Sequence, residues 1–342
     1  MRGLLGGLAA LLLLARAAPA AEVDPALLAA AQKEGEVAWY STLIVNQILR
    51  PMVDAFQKKY PGITVHYSRS TNSDIALKIT NEARAHRVQA DIFDGTNSIY
   101  PLLDAKLVAS YLPKAAASYP ADLKDPAGMW VVMNVFFLTT AYNTNMVKPA
   151  DVPKTYDDLL DPKWRGKIAW TNDPTPQGPP GFIHNILLTM GDEKGMAYLR
   201  KFATQQPVFI PASQRVVLDK VIEGDYPLAV MTFNHHATIS AAQGAPVQWI
   251  KMQPLSESIN LIAIVKDAPH PNAARLLEEF ILSADGQKVL ADNDYLPASP
   301  SVPAKIPDLK PEAGHFTFNV VTPAMARDDL PKWTAIYREL FR

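Results

Sequence analysis

The first hundred residues alternate between helical and strand patterns of hydrophobic positions. Apolar residues in 46–60 recur at helical spacing, from Ile48 and Leu49 to Phe56, and the pattern stops before Pro61-Gly62. Similar patterns predict helices over 24–34 and 73–86, and strands over 36–41, 63–67 and 91–93. Strands that alternate with helices are typical of a parallel sheet with right-handed crossovers.

The rest of the chain continues as an α/β protein. The apolar stretch 129–142 is too long for one buried strand, which favours a strand that leaves one lobe and enters another. Further strands are predicted at 168–170, 228–232 and 259–265, and further helices at 182–190, 216–223, 270–283 and 332–341. We therefore expect two lobes joined by a hinge of crossing strands, with lobe 1 at 21–138 plus 260–300 and lobe 2 at 139–259 plus 301–342.

Polar loops follow most of these strands. Ligands of open parallel sheets bind beyond the carboxyl ends of the strands, so the loops predict a pocket between the lobes. They supply hydroxyls, amides, one guanidinium and two imidazoles, a set suited to an anionic or polyhydroxylated ligand. The candidate ligand-binding residues are Ser41, Thr42, Arg69, Ser70, Thr96, Asn97 and Ser98 from lobe 1, Tyr142 at the hinge, and Asn172, Gln177, Asn234, His235 and His236 from lobe 2.

Each of these residues also has a purely structural interpretation. Serine and threonine after a strand often cap a helix, and Arg69 can be a solvated loop charge. The sequence Asn234-His235-His236 predicts a loop directly after a strand, in which adjacent side chains point to opposite sides. We therefore expect at most one of the two histidines to face the cleft, where it could make binding pH-dependent.

The N-terminus and the composition narrow the classes of protein. Arg2, the apolar run 4–14 and the small residues Ala18-Pro19-Ala20 predict a signal peptide over 1–20, too short to span a membrane. We expect a soluble periplasmic protein, not a lipoprotein because no cysteine lies at the cleavage point. The net charge of -1 gives no reason to expect a nucleic-acid partner, and the absence of cysteine excludes disulfides and thiol chemistry.

Enzyme motifs are missing from the sequence. It contains no Walker-type phosphate loop, no His-Glu-x-x-His and no Gly-x-Ser-x-Gly. Asp173 with His235 could serve a metal-dependent exported hydrolase, the alternative from a different class. We expect no enzyme, no cofactor and no resident metal.

Several motifs resemble those of substrate-binding proteins of bacterial ABC importers. They are Glu36-Val37-Ala38-Trp39-Tyr40-Ser41, Ala90-Asp91-Ile92-Phe93, Asp161-Pro162-Lys163-Trp164-Arg165-Gly166-Lys167 and Ser283-Ala284-Asp285-Gly286-Gln287. The run 152–168 is similar to the ferric-ion-binding branch. This resemblance implies a two-lobed type II periplasmic binding fold and delivery of a small molecule to an ABC permease in the inner membrane. A monomer is the default expectation for such a carrier.

The resemblance also bears on the cargo. Ferric members carry paired tyrosines in the loop after the strand that corresponds to 228–232, whereas this loop reads Phe233-Asn234-His235-His236-Ala237. Iron(III) prefers anionic oxygen donors. We therefore favour a phosphorylated or carboxylated organic ligand, and keep ferric iron or another metal ion with a synergistic anion as the alternative.

Overall fold

A computed structural model describes residues 23–342, so the predicted signal peptide lies outside the described residues. The strands are β1 Glu36–Ser41, β2 Thr64–Arg69, β3 Ile92–Gly95, β4 Val108–Ala109, β5 Val131–Asn143, β6 Ile168–Thr171, β7 Val208–Ile210, β8 Leu228–Phe233, β9 Val247–Trp249, β10 Leu255–Val265, β11 Leu296–Pro297 and β12 Phe318–Val320. The helices are α1 Pro25–Glu34, α2 Arg50–Lys59, α3 Asn72–Arg84, α4 Ile99–Asp104, α5 Pro179–Met190, α6 Asp192–Ala203, α7 Gln214–Ile222, α8 Asn234–Ala242, α9 Pro271–Leu282, α10 Ala284–Asp292, α11 Pro311–Gly314 and α12 Pro323–Phe341. Within residues 23–342, none of the helices is long and apolar enough to cross a membrane.

One continuous sheet runs through the molecule in the order β2-β1-β3-β10-β5-β8-β6-β7. Its two ends are parallel, at β2-β1-β3 and at β8-β6-β7. In the middle, β10 and β5 are long and antiparallel to each other, to β3 and to β8, so they carry the sheet from one lobe to the other; the short β12 pairs with β10 in parallel. The α/β class and the crossing strands predicted from the sequence are confirmed.

The buried hydrophobic side chains form three clusters, a large first core at the β2-β1-β3 end of the sheet and two further cores around β6 and β8. Trp39, Phe56 and Phe93 belong to the first core, where Phe56 packs edge-on against Phe280 with ring centroids 5.6 Å apart. Trp170 lies in the second core, which also contains the C-terminal helix. The segment 304–316 packs on the first core, although the sequence analysis placed 301–342 in lobe 2. The lobe boundaries stay a prediction.

Three predicted elements differ from those observed. The helix predicted over 46–60 begins with a π-helical turn at Val45–Leu49 before α2. The last helix starts at Pro323 and continues through Pro331. The prediction of a loop at Asn234-His235-His236 is wrong, since these residues form the first turn of α8. No glycine or proline follows β8, and the alanines in 237–242 favour a helix that starts at once.

Candidate functional site

A pocket of about 220 Å³ lies where both lobes meet the crossing strands. Its walls come from the segment after β1, the start of α3, the loop after β3, the loop before α5, the start of α8, and β5 and β10. The lining residues are Thr42, Leu43, Ile44, Gln47, Asn72, Thr96, Phe136, Gln177, Phe233, His235, His236, Asn260 and Tyr295.

A buried carboxyl group fixes the first-lobe wall. Asp94 Oδ1 accepts hydrogen bonds from the Thr42 backbone N–H at 2.9 Å and from Thr42 Oγ1 at 2.6 Å. Its other oxygen, Oδ2, is buried and has no hydrogen-bond partner among residues 23–342. Burial raises the pKa of Asp94, which favours its neutral form. The carboxyl group thus orients the Thr42 hydroxyl at the edge of the pocket.

Asn72 holds the loop after β3 against the start of α3. Its Oδ1 accepts from the backbone N–H groups of Asn97 at 3.1 Å and Ser98 at 3.3 Å. This approach needs Gly95, because a Cβ there would collide with Asn72 Oδ1 and Ser98 Oγ, and its φ is +151°. The result is a rigid loop that presents Thr96 to the pocket.

Gln177 connects the second lobe to the first. Its Nε2 donates to Ser258 Oγ on β10 at 2.9 Å and to Thr96 Oγ1 at 3.3 Å. Its backbone carbonyl accepts from Gln214 Nε2 at 2.9 Å, which ties the loop to the start of α7. The loop is tightly folded, since a Cβ at Gly178 would collide with the Asp173 carbonyl. Gln177 is therefore a hydrogen-bonded contact across the cleft.

Both histidines of α8 line the pocket, which corrects the prediction that at most one would do so. In a helix, successive residues are about 100° apart instead of 180°, so both rings can turn to one side. The His235 ring stacks on Phe136 at a centroid distance of 5.6 Å and an interplanar angle of 29°, and lies 4.3 Å from the His236 ring.

The two imidazoles are neutral near pH 7. Burial holds the pKa of His235 well below its usual range, and His236 adds to the effect. Burial, with a smaller contribution from the charge of Arg215, lowers the pKa of His236 to about 4. The Nδ1 atoms of both rings are enclosed and lack a partner within the described part of the chain. Two neutral rings are therefore available to a bound molecule.

Amide groups around the pocket are also incompletely bonded. Asn260 Nδ2 donates to Asn134 Oδ1 at 3.1 Å between the crossing strands. Asn260 Oδ1, Asn134 Nδ2 and Asn97 Oδ1 are buried without a partner in residues 23–342. Because unsatisfied buried polar groups cost free energy, such a cluster indicates a place where a polar ligand or water binds.

Two guanidinium groups lie beside the pocket, and one of them is paired with a carboxylate. Among the lining residues of the described chain, none is acidic. Arg69 is exposed, and its Nε donates to the Thr42 carbonyl at 3.4 Å. Arg215 at the start of α7 donates to Ser240 and Asp219, at 3.0 and 2.7 Å. The starts of α3 and α8 add positive helix-dipole ends.

The structure brings five of the predicted site residues to the pocket: Thr42, Thr96, Gln177, His235 and His236. The other eight do not line it: Ser41, Arg69, Ser70, Asn97, Ser98, Tyr142, Asn172 and Asn234. Asp173, considered for a hydrolase, is also outside the lining.

The hydrogen bonds of these other residues are structural. Ser41 Oγ accepts from the Leu43 N–H, and Ser98 Oγ donates to the Asp94 carbonyl. Asn234 is fully buried and its Nδ2 donates to the Leu309 carbonyl at 3.0 Å. The Tyr142 hydroxyl donates to Gln248 Oε1 at 2.9 Å, on a partly exposed strand pair.

Sequence reasoning missed several lining residues. Asn72 directly follows a predicted loop, and Asn260 is an amide inside an apolar strand, so each carried a weak signal. Tyr295 and Phe136 carried none, because only the fold brings these distant segments to the pocket. Tyr295 is the tyrosine of the lining, and burial raises its pKa to about 12. Within residues 23–342 there is no group of three or more His, Asp or Glu side chains placed to hold a metal ion.

Comparisons with known proteins agree with this architecture. A family model described as "Bacterial extracellular solute-binding protein" matches residues 70–319. Iron uptake protein A1 of Synechocystis sp. (strain ATCC 27184 / PCC 6803 / Kazusa) is 23% identical over 187 residues, 52% of this chain and 51% of the relative, so the chain spans about half the length of that protein. The Fe(3+)-binding periplasmic protein of Serratia marcescens is 23% identical over 258 residues, 73% of this chain and 74% of the relative.

Solved structures of periplasmic binding proteins share the fold. A Trichodesmium protein (IdiA, FutA) in complex with iron and citrate has a TM-score of 0.73 at 18% identity, over 90% of this chain and 99% of that one. The periplasmic binding protein AfuA from Actinobacillus pleuropneumoniae, with fructose-6-phosphate bound, has a TM-score of 0.70 at 18% identity, over 90% and 98%. The predicted two-lobed type II periplasmic binding fold is confirmed.

Proposed function

The chain belongs to the bacterial extracellular solute-binding proteins, and from this premise we propose that it captures a small polyhydroxylated organic anion between its lobes. The observation that carries the proposal is the cluster of incompletely bonded polar groups around a pocket without acidic lining residues in the described chain. The ligand is phosphorylated or carboxylated.

The hydroxyl groups of the ligand are inferred from buried amide oxygens that lack a hydrogen-bond donor. Asn260 lines the pocket, and its Oδ1 is buried without a donor in the described residues. A ligand hydroxyl can donate to such an oxygen or to Thr42 Oγ1, whose own proton is donated to Asp94. A purely anionic ligand has no donor, so it would leave the amide oxygens unsatisfied.

The negative charge of the ligand is inferred from its surroundings. Arg69 lies beside Thr42 on the first lobe, and the charge of Arg215 acts on His236 on the second. Both guanidinium groups lie outside the lining and favour an anion over a cation in the pocket, although Asp219 offsets part of the charge of Arg215. A cationic ligand such as a polyamine would lack a carboxylate partner among the described lining residues.

Ferric iron held with an anion is the second candidate. Tyr295, His235 and His236 supply one phenol and two imidazoles in a single pocket, and an anion would complete the ligand set. The raised pKa of Tyr295 disfavours the phenolate that iron prefers. We therefore rank iron behind the organic anion.

The protein's place in the cell follows from its family. We propose a periplasmic monomer whose loaded, closed form docks on an ABC permease in the inner membrane. The signal peptide inferred at 1–20 would direct its export.

A thermal-shift panel tests the ligand class. Fructose 6-phosphate, citrate, putrescine, ferric citrate and iron(III) without a chelating anion are added to the purified protein. A ligand at about 100 times its Kd stabilises the folded state by about 2.7 kcal/mol, a readily measured rise in Tm. We expect a rise with an organic anion and no rise with putrescine; a response to putrescine alone would contradict the proposal.

A pair of matched variants locates the binding. Thr96→Val removes a hydroxyl that lines the pocket, whereas Thr80→Val removes a hydroxyl that donates to the Ala76 carbonyl within α3. We expect Thr96→Val to reduce the Tm response and Thr80→Val to retain it. Equal responses in both variants would place the bound anion elsewhere.

A further inference from the structure

A second cavity, of about 100 Å³, lies on the face of the crossing strands opposite the pocket. Its lining includes Glu257 on β10, Phe137 on β5, the exposed Asp122, Lys310 just before α11 and Glu312 within α11. Glu257 is only 4% exposed, and its Oε2 has no hydrogen-bond partner within residues 23–342. A buried carboxyl oxygen without a partner stabilises the protonated form.

The charged groups around Glu257 shift its pKa in opposite directions. Burial raises its pKa to about 8, and the charges of Asp122 and Glu312 add to this, while the Lys310 ammonium acts in the other direction. Lys310 does not bond to Glu257. Its Nζ donates to the carbonyls of Ser299 at 3.0 Å and Val302 at 3.5 Å, and lies 3.5 Å from Glu312 Oε1.

The two strands link this cavity directly to the cleft. Glu257 pairs with Phe137 and Ser258 pairs with Phe136 in successive rungs of β10 and β5. Glu257 and Phe137 line the cavity, whereas Ser258 accepts a hydrogen bond from Gln177 on the cleft side, and Phe136 stacks on His235. Any bending of these strands as the lobes move therefore changes both faces together.

We propose that Glu257 couples closure of the lobes to uptake of one proton. The form with the lobes in contact keeps the carboxyl group buried and protonated. When the lobes separate, the strands bend, water enters the cavity and supplies the missing partner of Oε2, and the group ionises. This inference rests on lobe closure alone and does not depend on which solute is bound.

The direction of the pH effect follows from linkage. The closed form binds the proton more tightly than the open form, so low pH favours closure. The preference for the closed form is complete below the pKa of Glu257 in the open form. It is lost as the pH rises through about 8, the pKa of Glu257 in the closed form. Solute affinity would fall over the same range.

The absence of cysteine from the chain allows a direct test. The double variant Thr96→Cys with Gln177→Cys places thiols on the two side chains that meet across the cleft, and a short bismaleimide ties the lobes together. The carboxyl carbon-13 resonance of Glu257, assigned by its loss in Glu257→Gln, is then titrated from pH 4 to 9.5. The tied and untied proteins have the same sequence, so they differ only in lobe contact.

We expect a titration midpoint near 8 in the tied protein and a midpoint at least one pH unit lower in the untied protein, a tenfold change in proton binding. Equal midpoints, or no titration near 8 in the tied protein, would overturn the proposal. Asp122→Asn gives a second test that does not disturb the buried group. It removes an exposed negative charge and should lower the midpoint of the tied protein, and an unchanged midpoint would contradict the inferred action of the Asp122 charge on Glu257.

Discussion

Replacement of His236 by phenylalanine should make the protein more resistant to acid. The imidazole is largely buried beside Phe233, with ring centroids 5.1 Å apart, and its Nδ1 lacks a partner in the described residues. Phenylalanine keeps a ring in this aromatic surrounding and removes the group that would have to accept a proton. The substitution removes the titration of His236 and also its smaller effect on the pKa of His235, which burial alone still lowers.

The magnitude follows from the shift of the His236 pKa. Folding lowers this pKa from 6.5 to about 4, so between these values the unfolded chain binds a proton that the folded protein rejects. Stability is fully retained above pH 6.5 and is lost as the pH falls below it. At pH 5 the difference is about 1.5 pH units at 1.36 kcal/mol each, or about 2 kcal/mol.

Urea unfolding of the solute-free protein at pH 8 and pH 5 measures this loss of unfolding free energy. We expect the loss of unfolding free energy between the two pH values to be about 2 kcal/mol smaller in His236→Phe than in the wild type. His86→Asn is the control, because His86 is exposed and asparagine tolerates its φ of +53°. A loss of the same size in His236→Phe and in the wild type would refute the inferred burial of the neutral imidazole.

Three further substitutions test other parts of the account. Gly95→Ala should lower Tm and solute affinity together, because its Cβ collides with Asn72 Oδ1 and Ser98 Oγ; an unchanged affinity by calorimetry would show that the loop adapts. Asn234→Ala should cost about 2 kcal/mol of unfolding free energy in urea, since the Leu309 carbonyl and a backbone N–H lose their partner; a loss below about 0.5 kcal/mol would contradict this. Arg69→Ala should weaken an anionic solute by about 1.5–3 kcal/mol if closure brings the guanidinium to it, and unchanged affinity would remove Arg69 from the site.

The sequence was sufficient for the architecture because local patterns encode it. The strand before Ser41 and the helix from Pro271 are continuous apolar or amphipathic segments, and both are found at the expected positions. The polar loops after the strands also indicated the side of the sheet on which the pocket lies. Thr42 and Thr96 were found in this way.

The site itself depended on information that local patterns do not contain. A helix that starts directly at Asn234 was not distinguishable from a loop, and this error led to the expectation that only one histidine faces the cleft. Tyr295 and Asn260 reach the pocket through packing of distant segments. The burial of Glu257 is likewise set by residues far along the chain, so its perturbed pKa had no local signal.

Native mass spectrometry identifies the molecule that the protein captures. The protein is purified from the periplasm without added ligand and measured beside a denatured control. We expect a small organic anion with hydroxyl groups and a phosphate or carboxylate, present in the native spectrum and lost on denaturation. Iron bound without an organic anion, or a bound polyamine, would contradict it.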